Sequence, residues 1–118
     1  MSHLIILLEK MQFRPNESIE FSIEWNLLNV TDQNFEIHLF WHTEGRGSED
    51  LGIYETIPFN AQSSSGKKSF RIKAPAHPYS FSGKLVSLIW KIEVVSPATK
   101  LSASEVIQIT PSESPIVL

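Results

Sequence analysis

The sequence alternates between apolar and polar residues, with a period of two, in three long segments. Such alternation is typical of β-strands that bury one face and expose the other. The three segments cover residues 19–27, 35–41 and 86–94. No segment keeps the i, i+3, i+4, i+7 apolar spacing of an amphipathic helix over the length that a helix needs. The sequence therefore predicts an all-β fold.

Four weaker segments bring the predicted set to about seven strands. They cover residues 4–8, 52–59, 68–73 and 101–109. Glu105 interrupts the inward-facing positions of the last segment, which indicates a bulge or an edge position there. Turn-forming residues separate the strands, including Arg14-Pro15-Asn16-Glu17 and the proline-containing segment 74–78, which cannot be a central strand. This spacing predicts a two-sheet antiparallel β-sandwich, immunoglobulin-like in the broad sense.

The 118 residues correspond to one domain. We predict that residues 1–110 form a single sandwich and that residues 111–118 form a C-terminal tail. The apolar end of this tail, residues 116–118, is predicted to dock on the domain or on a partner.

Cysteine is absent from the sequence. Its absence excludes disulfides, thiolate catalysis and sulfur-ligated metals, and it favours a reducing compartment. The apolar run at residues 4–8 is too short for a secretory signal, and no stretch approaches the ~20 apolar residues that cross a bilayer. We therefore predict a cytoplasmic protein without a transmembrane segment.

Two stretches of the sequence resemble arrestin-fold domains. Residues 13–19 (FRPNESI) are similar to the first arrestin hairpin, in which a Pro-Gly-Glu turn leads into an apolar strand. Residues 70–83 (FRIKAPAHPYSFSG) resemble a stretch in which a strand ends in proline and a Pro-Ser-aromatic-Gly link precedes a long alternating strand. Two positions depart from the pattern, because Asn16 replaces the usual glycine and Phe21 stands where a small residue is expected.

The resemblance extends over roughly residues 3–95 and implies an arrestin-like sandwich. An arrestin has two such sandwiches, whereas this chain has one. Arrestin-fold relatives include receptor adaptors, a retromer subunit and bacterial sporulation-control proteins. The resemblance thus implies a non-catalytic protein-interaction or scaffold domain. Because free sheet edges can accept a strand from another chain, we predict that its partner is another protein or a second copy of the chain. It does not imply recognition of phosphorylated receptors.

The outward-facing positions of two predicted strands supply a candidate partner surface. If segments 35–41 and 86–94 are neighbours, an apolar group with a polar border should lie on one solvent-facing sheet surface. The apolar members are Phe40, Leu85 and Ile89, and the bordering residues are His38, His42 and Lys91. An exposed apolar patch with a polar rim is typical of a contact surface. The alternative is that the tail or a loop covers these residues.

The sequence contains no constellation that predicts catalysis or metal binding. His38 and His42 would lie about 13 Å apart along one strand, given a rise of ~3.3 Å per residue, and so cannot share a metal ion. The acidic group at residues 44–50 lacks the regular spacing of a calcium loop. No nucleophile elbow, phosphate-binding loop, dinucleotide fingerprint or HExxH motif occurs. We predict that the protein is not an enzyme and uses no metal or cofactor.

Nucleic-acid binding is not expected either, since the net charge is −3 and the basic residues are scattered. The densest basic group, at residues 67–73, is interpreted as a solvated strand edge. The main alternative function is a carbohydrate- or lipid-binding β-sandwich module. It would require a solvent-facing tryptophan ring or a cleft between the sheets, whereas Trp25, Trp41 and Trp90 all fall on apolar positions typical of a core.

Overall fold

The computed structural model describes residues 2–27, 34–45, 49–97, 100–111 and 116–117. These residues form ten β-strands and no helix, so the predicted all-β class is confirmed for this part of the chain. The strands are β1 (His3–Leu8), β2 (Gln12–Phe13), β3 (Ser18–Asn26), β4 (Asn34–Gly45), β5 (Leu51–Asn60), β6 (Ser65–Lys73), β7 (Phe81–Ser82), β8 (Val86–Val95), β9 (Ser102–Ile109) and β10 (Ile116–Val117). The described residues therefore also contain no helix that is long and apolar enough to cross a membrane.

The strands are arranged in two sheets. The smaller sheet has the order β1-β3-β6, and the larger sheet has the order β10-β7-β8-β4-β5, with β9 also paired to β8 and β2 paired to β9. All pairings between long strands are antiparallel. The short strands β2 and β10 instead pair in parallel with β9 and β7. The predicted antiparallel sandwich is therefore corrected at these two places, where pairings of two residues are too short to leave a periodic signal in the sequence.

The pairing of β9 and β10 decides between the alternatives that the sequence left open at two places. β9 runs beside β8 in an unbroken register that includes Glu105 opposite Ile92, so Glu105 does not lie in a bulge. It lies in the part of β9 that forms the sheet edge, before the two residues that pair with β2. Ile116 and Val117 of the predicted tail pair with Phe81 and Ser82 of β7. This part of the tail therefore docks on the domain.

The core lies between the two sheets and is built from the inward-facing residues of the alternating strands. Phe59 of the larger sheet bridges to the smaller one, with its ring centroid 5.2 Å from that of Phe70 and 6.1 Å from that of Trp25. Burying one large aliphatic side chain stabilises a fold by about 1.5–3 kcal/mol. The completely buried side chains of the central strands include Ile19, Ile23, Ile37, Leu39, Trp90, Ile92 and Val94.

The tryptophans follow the predicted burial with one exception. Trp25 and Trp90 are buried, and their indole N–H groups donate hydrogen bonds to the carbonyl oxygens of Ser63 at 3.0 Å and Pro78 at 2.9 Å. Trp41 packs against the same core but is only half-buried. The two buried rings cannot serve as a sugar platform, because a platform has to face the solvent.

The turn between β2 and β3 explains the departure from the arrestin-like pattern at Asn16. Asn16 has a left-handed φ of 67°, a conformation that asparagine adopts more readily than other non-glycine residues. Its backbone N–H donates to the carbonyl of Ala74 at 3.0 Å, and the N–H of Ala74 donates to the carbonyl of Glu17 at 2.7 Å. Asparagine can therefore adopt the conformation for which this position usually has glycine. The two hydrogen bonds with Ala74 hold the turn against the end of β6.

Glu17 in this turn should make stability depend on pH. Its carboxylate accepts hydrogen bonds from the Lys10 side chain and from the backbone N–H of Arg14, at 2.8 Å for the latter. These bonds, first that of Lys10, hold the pKa of Glu17 below its usual value. The ionised group therefore stabilises the fold above its unfolded pKa of ~4.3, and this contribution is lost as the pH falls through the lower folded pKa.

We expect Glu17→Gln to reduce the fall in unfolding free energy between about pH 7 and about pH 3. Urea denaturation at a series of pH values measures this difference. Glu24→Gln, on the outer face of β3, is the matched control. Identical pH dependence in the two variants would show that the turn does not contribute in this way.

Candidate interaction surface

The predicted neighbours β4 and β8 are paired along most of their length. Their antiparallel register places Phe40 opposite Lys91, His42 opposite Ile89, and His38 opposite Glu93. All of these residues have the parity opposite to that of the buried positions, so they lie on the outer face of the larger sheet. The structure thus brings five of the six candidate residues onto one surface.

Leu85, the sixth candidate, lies in the bend before β8 and outside the paired part of the sheet. Its side chain is 67% exposed. Its carbonyl oxygen approaches Gly45 so closely that a Cβ on that glycine would lie 1.9 Å from the oxygen. The alternation of the sequence continues through Leu85, whereas the strand begins at Val86, and this is why the pattern placed Leu85 on the sheet.

Two further apolar residues, Leu51 and Ile53, extend the surface onto β5. The register between β4 and β5 shifts at Leu39 and Phe40, so that Tyr54 is an extra residue in β5. Beyond this bulge Ile53 lies opposite Phe40, and Leu51 lies opposite His42. A bulge reverses the side-chain parity of one strand relative to its partner. Simple alternation would have placed Leu51 and Ile53 inside, beside Phe59, and no signal in the sequence marks the reversal.

We define the outer-face patch as Phe40, Leu51, Ile53, Ile89 and Val106, which come from four adjacent strands. Val106 of β9 joins the group because it lies opposite Lys91. Leu51, Ile53 and Val106 are 63%, 59% and 51% exposed, respectively, while Phe40 and Ile89 are half-buried. Polar side chains lie among these residues on the same face. His42 lies between Leu51 and Ile89, and Lys91 lies between Phe40 and Val106. His38 and Glu93 occupy the next outward-facing positions of β4 and β8.

The two histidines of the outer face have different surroundings. His38 Nδ1 lies 3.1 Å from the hydroxyl oxygen of Thr56 on β5. The ring of His42 lies beside Phe40, with centroids 6.2 Å apart, and its Nδ1 is 3.9 Å from a carboxylate oxygen of Glu44. His42 Nε2 is buried without a hydrogen-bond partner. In the part of the chain that the structure describes, no three histidine, aspartate or glutamate residues are grouped closely enough to hold a metal ion.

A small apolar groove borders the patch. It lies where β7 and β9 pair with successive parts of β8. Its volume is about 190 Å³, and Ile116 of the tail lines it together with Ile89 and Val106. The described part of the tail thus reaches one side of the patch. The exposure of Leu51 and Ile53 shows that it does not cover the other side.

The topology and the core define the class of the protein as a two-sheet, β-rich fold. No family model matches the sequence, and no curated protein matches it. Among solved structures, the chain is similar to Spo0M, a sporulation control protein from Bacillus subtilis, with a TM-score of 0.66 and 12% sequence identity over 92% of this chain. This chain spans about half of the Spo0M chain, 49% of its length. At this level of identity the similarity shows the fold alone, and it supports the arrestin-like architecture.

Proposed function

We propose that the protein is a non-catalytic protein-interaction or scaffold domain of arrestin-like type and that the outer-face patch is its contact surface. The patch itself is the observation that carries the proposal, because it places five apolar side chains on one sheet face, and three of them are more than half exposed. Exposed apolar side chains grouped with polar residues on one face are typical of protein contact sites. The structural similarity to a sporulation control protein is in keeping with a regulatory role rather than a catalytic one.

The chemistry of the patch favours a protein partner that carries apolar anchor residues. Aromatic side chains at the centre of an interface commonly supply much of the binding energy, and Phe40 has such a central position between β5 and β8. Lys91, between Phe40 and Val106, would pair with an acidic group of the partner. We propose that the domain acts in the cytoplasm, since a chain without cysteine suits a reducing compartment. The proposal involves no cofactor, metal ion or nucleic acid.

The test compares affinity purifications with tagged wild type, Phe40→Asp and Ser69→Asp as baits. Ser69 lies on β6, on the outer face of the other sheet, so it receives the same new charge away from the patch. We expect a partner that wild type and Ser69→Asp both retain and that Phe40→Asp binds at least about 30-fold more weakly, the effect of losing one central anchor. Titration with the purified partner measures this ratio.

Folding of each bait is checked first by circular dichroism and thermal melting. If Phe40→Asp does not fold, the half-buried Phe40 ring is needed for the fold and this variant cannot report on binding. Ile53→Asp is then the second variant of the patch, because Ile53 is 59% exposed. Retention of the same proteins by all baits would contradict the proposal.

A further inference from the structure

Four long strands have a free edge along all or part of their length, and three of them carry a charged residue at an inward-facing position. Natural sheets use such charges, together with prolines and bulges, to prevent pairing with strands of other molecules. β5 has a proline and a bulge in addition to its charge. The charged residues and their inward-facing partners are Glu55 of β5 opposite Leu39, Lys68 of β6 opposite Ile23, and Glu105 of β9 opposite Ile92.

The fourth edge strand, β1, has none of these protections. His3–Leu8 contains no acidic residue, lysine, arginine or proline, and its register with β3 is unbroken. Leu4 and Ile6 are buried against the core, whereas Ile5 and Leu7 are 41% and 38% exposed on the outer face. Within the described ranges β1 pairs with β3 alone. Every second residue of β1 therefore directs its N–H and C=O groups away from the sheet.

We propose that β1 pairs antiparallel with β1 of a second copy of this chain, so that two three-stranded sheets become one continuous six-stranded sheet. A two-fold axis makes such an interface self-complementary. The sheet faces are preserved only in registers that place outward residues opposite outward residues. Registers centred on Ile5 or on Ile6 both satisfy this condition.

The sequence of β1 favours the register centred on Ile6. In that register Ile5 lies opposite Leu7, Leu4 lies opposite Leu8, and His3 meets Glu9 just beyond the strand. Every pair within the strand is then apolar, and the end pair joins a carboxylate to a group that can become cationic. Centring on Ile5 would place His3 against Leu7. Apolar cross-strand pairs stabilise a sheet, whereas mismatched pairs contribute little. Because β1 is complementary to itself in this register, we infer that its partner at this edge is a second copy of the chain.

The expected association is modest. A pair of six-residue edges is small compared with the ~1,200–2,000 Å² of stable interfaces, so we expect dissociation in the micromolar range. The interface lies on the smaller sheet and is separate from the outer-face patch on the larger one. Its existence can therefore be tested independently of the proposed function.

The test is a charge exchange at the two exposed outer-face residues of β1. One variant carries Ile5→Lys and Leu7→Lys, and the other carries Ile5→Glu and Leu7→Glu. Like charges opposed across the interface should weaken association by at least about 100-fold in each variant alone. Sedimentation velocity over about 10–300 µM should show wild type approaching twice the 13.4 kDa of one chain and each variant remaining monomeric. An equimolar mixture of the two variants should regain the dimer.

Phe40→Asp is the control on the other sheet and should dimerise like wild type. A wild type that stays monomeric throughout this range would overturn the inference, even if a different protein binds the edge. So would a dimer that persists in either charged variant or that Phe40→Asp abolishes. Circular dichroism of the charged variants confirms that the loss of dimer is not a loss of fold.

Discussion

Replacing Trp90 with alanine is expected to lower the free energy of unfolding by about 3–5 kcal/mol. The indole ring is 0% exposed and lies on the inward face of β8, with the Tyr54 ring nearly perpendicular to it at a centroid distance of 6.3 Å. Alanine would leave a cavity in the core and would remove the hydrogen bond to the carbonyl of Pro78. Domains of this size have a total stability of about 5–15 kcal/mol, so the loss should shift the unfolding midpoint strongly.

Urea denaturation followed by far-UV circular dichroism measures this change. Trp90→Phe separates the two contributions, because phenylalanine restores most of the volume without the N–H donor. Trp41→Ala is the matched control on the neighbouring strand, where Trp41 lies directly opposite Trp90 but is only half-buried. Its loss should be clearly smaller. Equal losses at the two tryptophans would mean that Trp90 does not hold the central position in the core that its burial indicates.

Alternation in the sequence was sufficient to predict the central strands and the inward-facing residues of the core. Ile23, Ile37 and Ile92 are all buried, as period two requires, because each belongs to a strand with one dry face. The candidate surface followed from the same alternation together with an assumed adjacency of two strands. That adjacency is a long-range property of the topology, and only the structure could confirm it.

Other parts of the architecture depend on geometry that leaves no local pattern. The bulge at Tyr54 reverses the parity of β5, so that Leu51 and Ile53 face outward although their spacing from Ile57 and Phe59 predicts the same face. The parallel pairings of β2 and β10 contain two residues each, which is too few for a periodic signal. At Leu85 the alternation predicted a residue of the sheet surface, whereas the strand begins only at Val86.

The two proposed contact regions lie on different sheets, and this has a consequence for binding. A dimer joined through β1 would carry two outer-face patches, one on each larger sheet. A partner with two binding segments could then engage both patches, and the second contact would form at a high effective concentration. Loss of the β1 interface should therefore weaken the binding of a bivalent partner and leave that of a monovalent partner unchanged.

The contact between Gly52 and Trp41 supports the patch from beneath. Gly52 lies between Leu51 and Ile53, and the Trp41 ring occupies the space beside it so closely that an added Cβ would lie 2.4 Å from ring atoms. Gly52→Val is expected to cost about 3 kcal/mol of unfolding free energy, the upper range for overpacking. Because the ring or β5 has to move, the variant should also bind the patch's partner more weakly, although every residue of the patch is unchanged.

A double-mutant cycle distinguishes this clash from a general intolerance of valine in β5. Trp41→Ala removes the ring that Gly52→Val would meet, so the double variant should lose less stability than the sum of the two single losses, by about 1–3 kcal/mol. Thr56→Val, on the outer face of the same strand, is the control and should change stability by less than about 1 kcal/mol. Additive losses in the cycle would show that the valine is not opposed by Trp41, and the support that the ring gives to Leu51 and Ile53 would then have to come from the backbone of β5 itself.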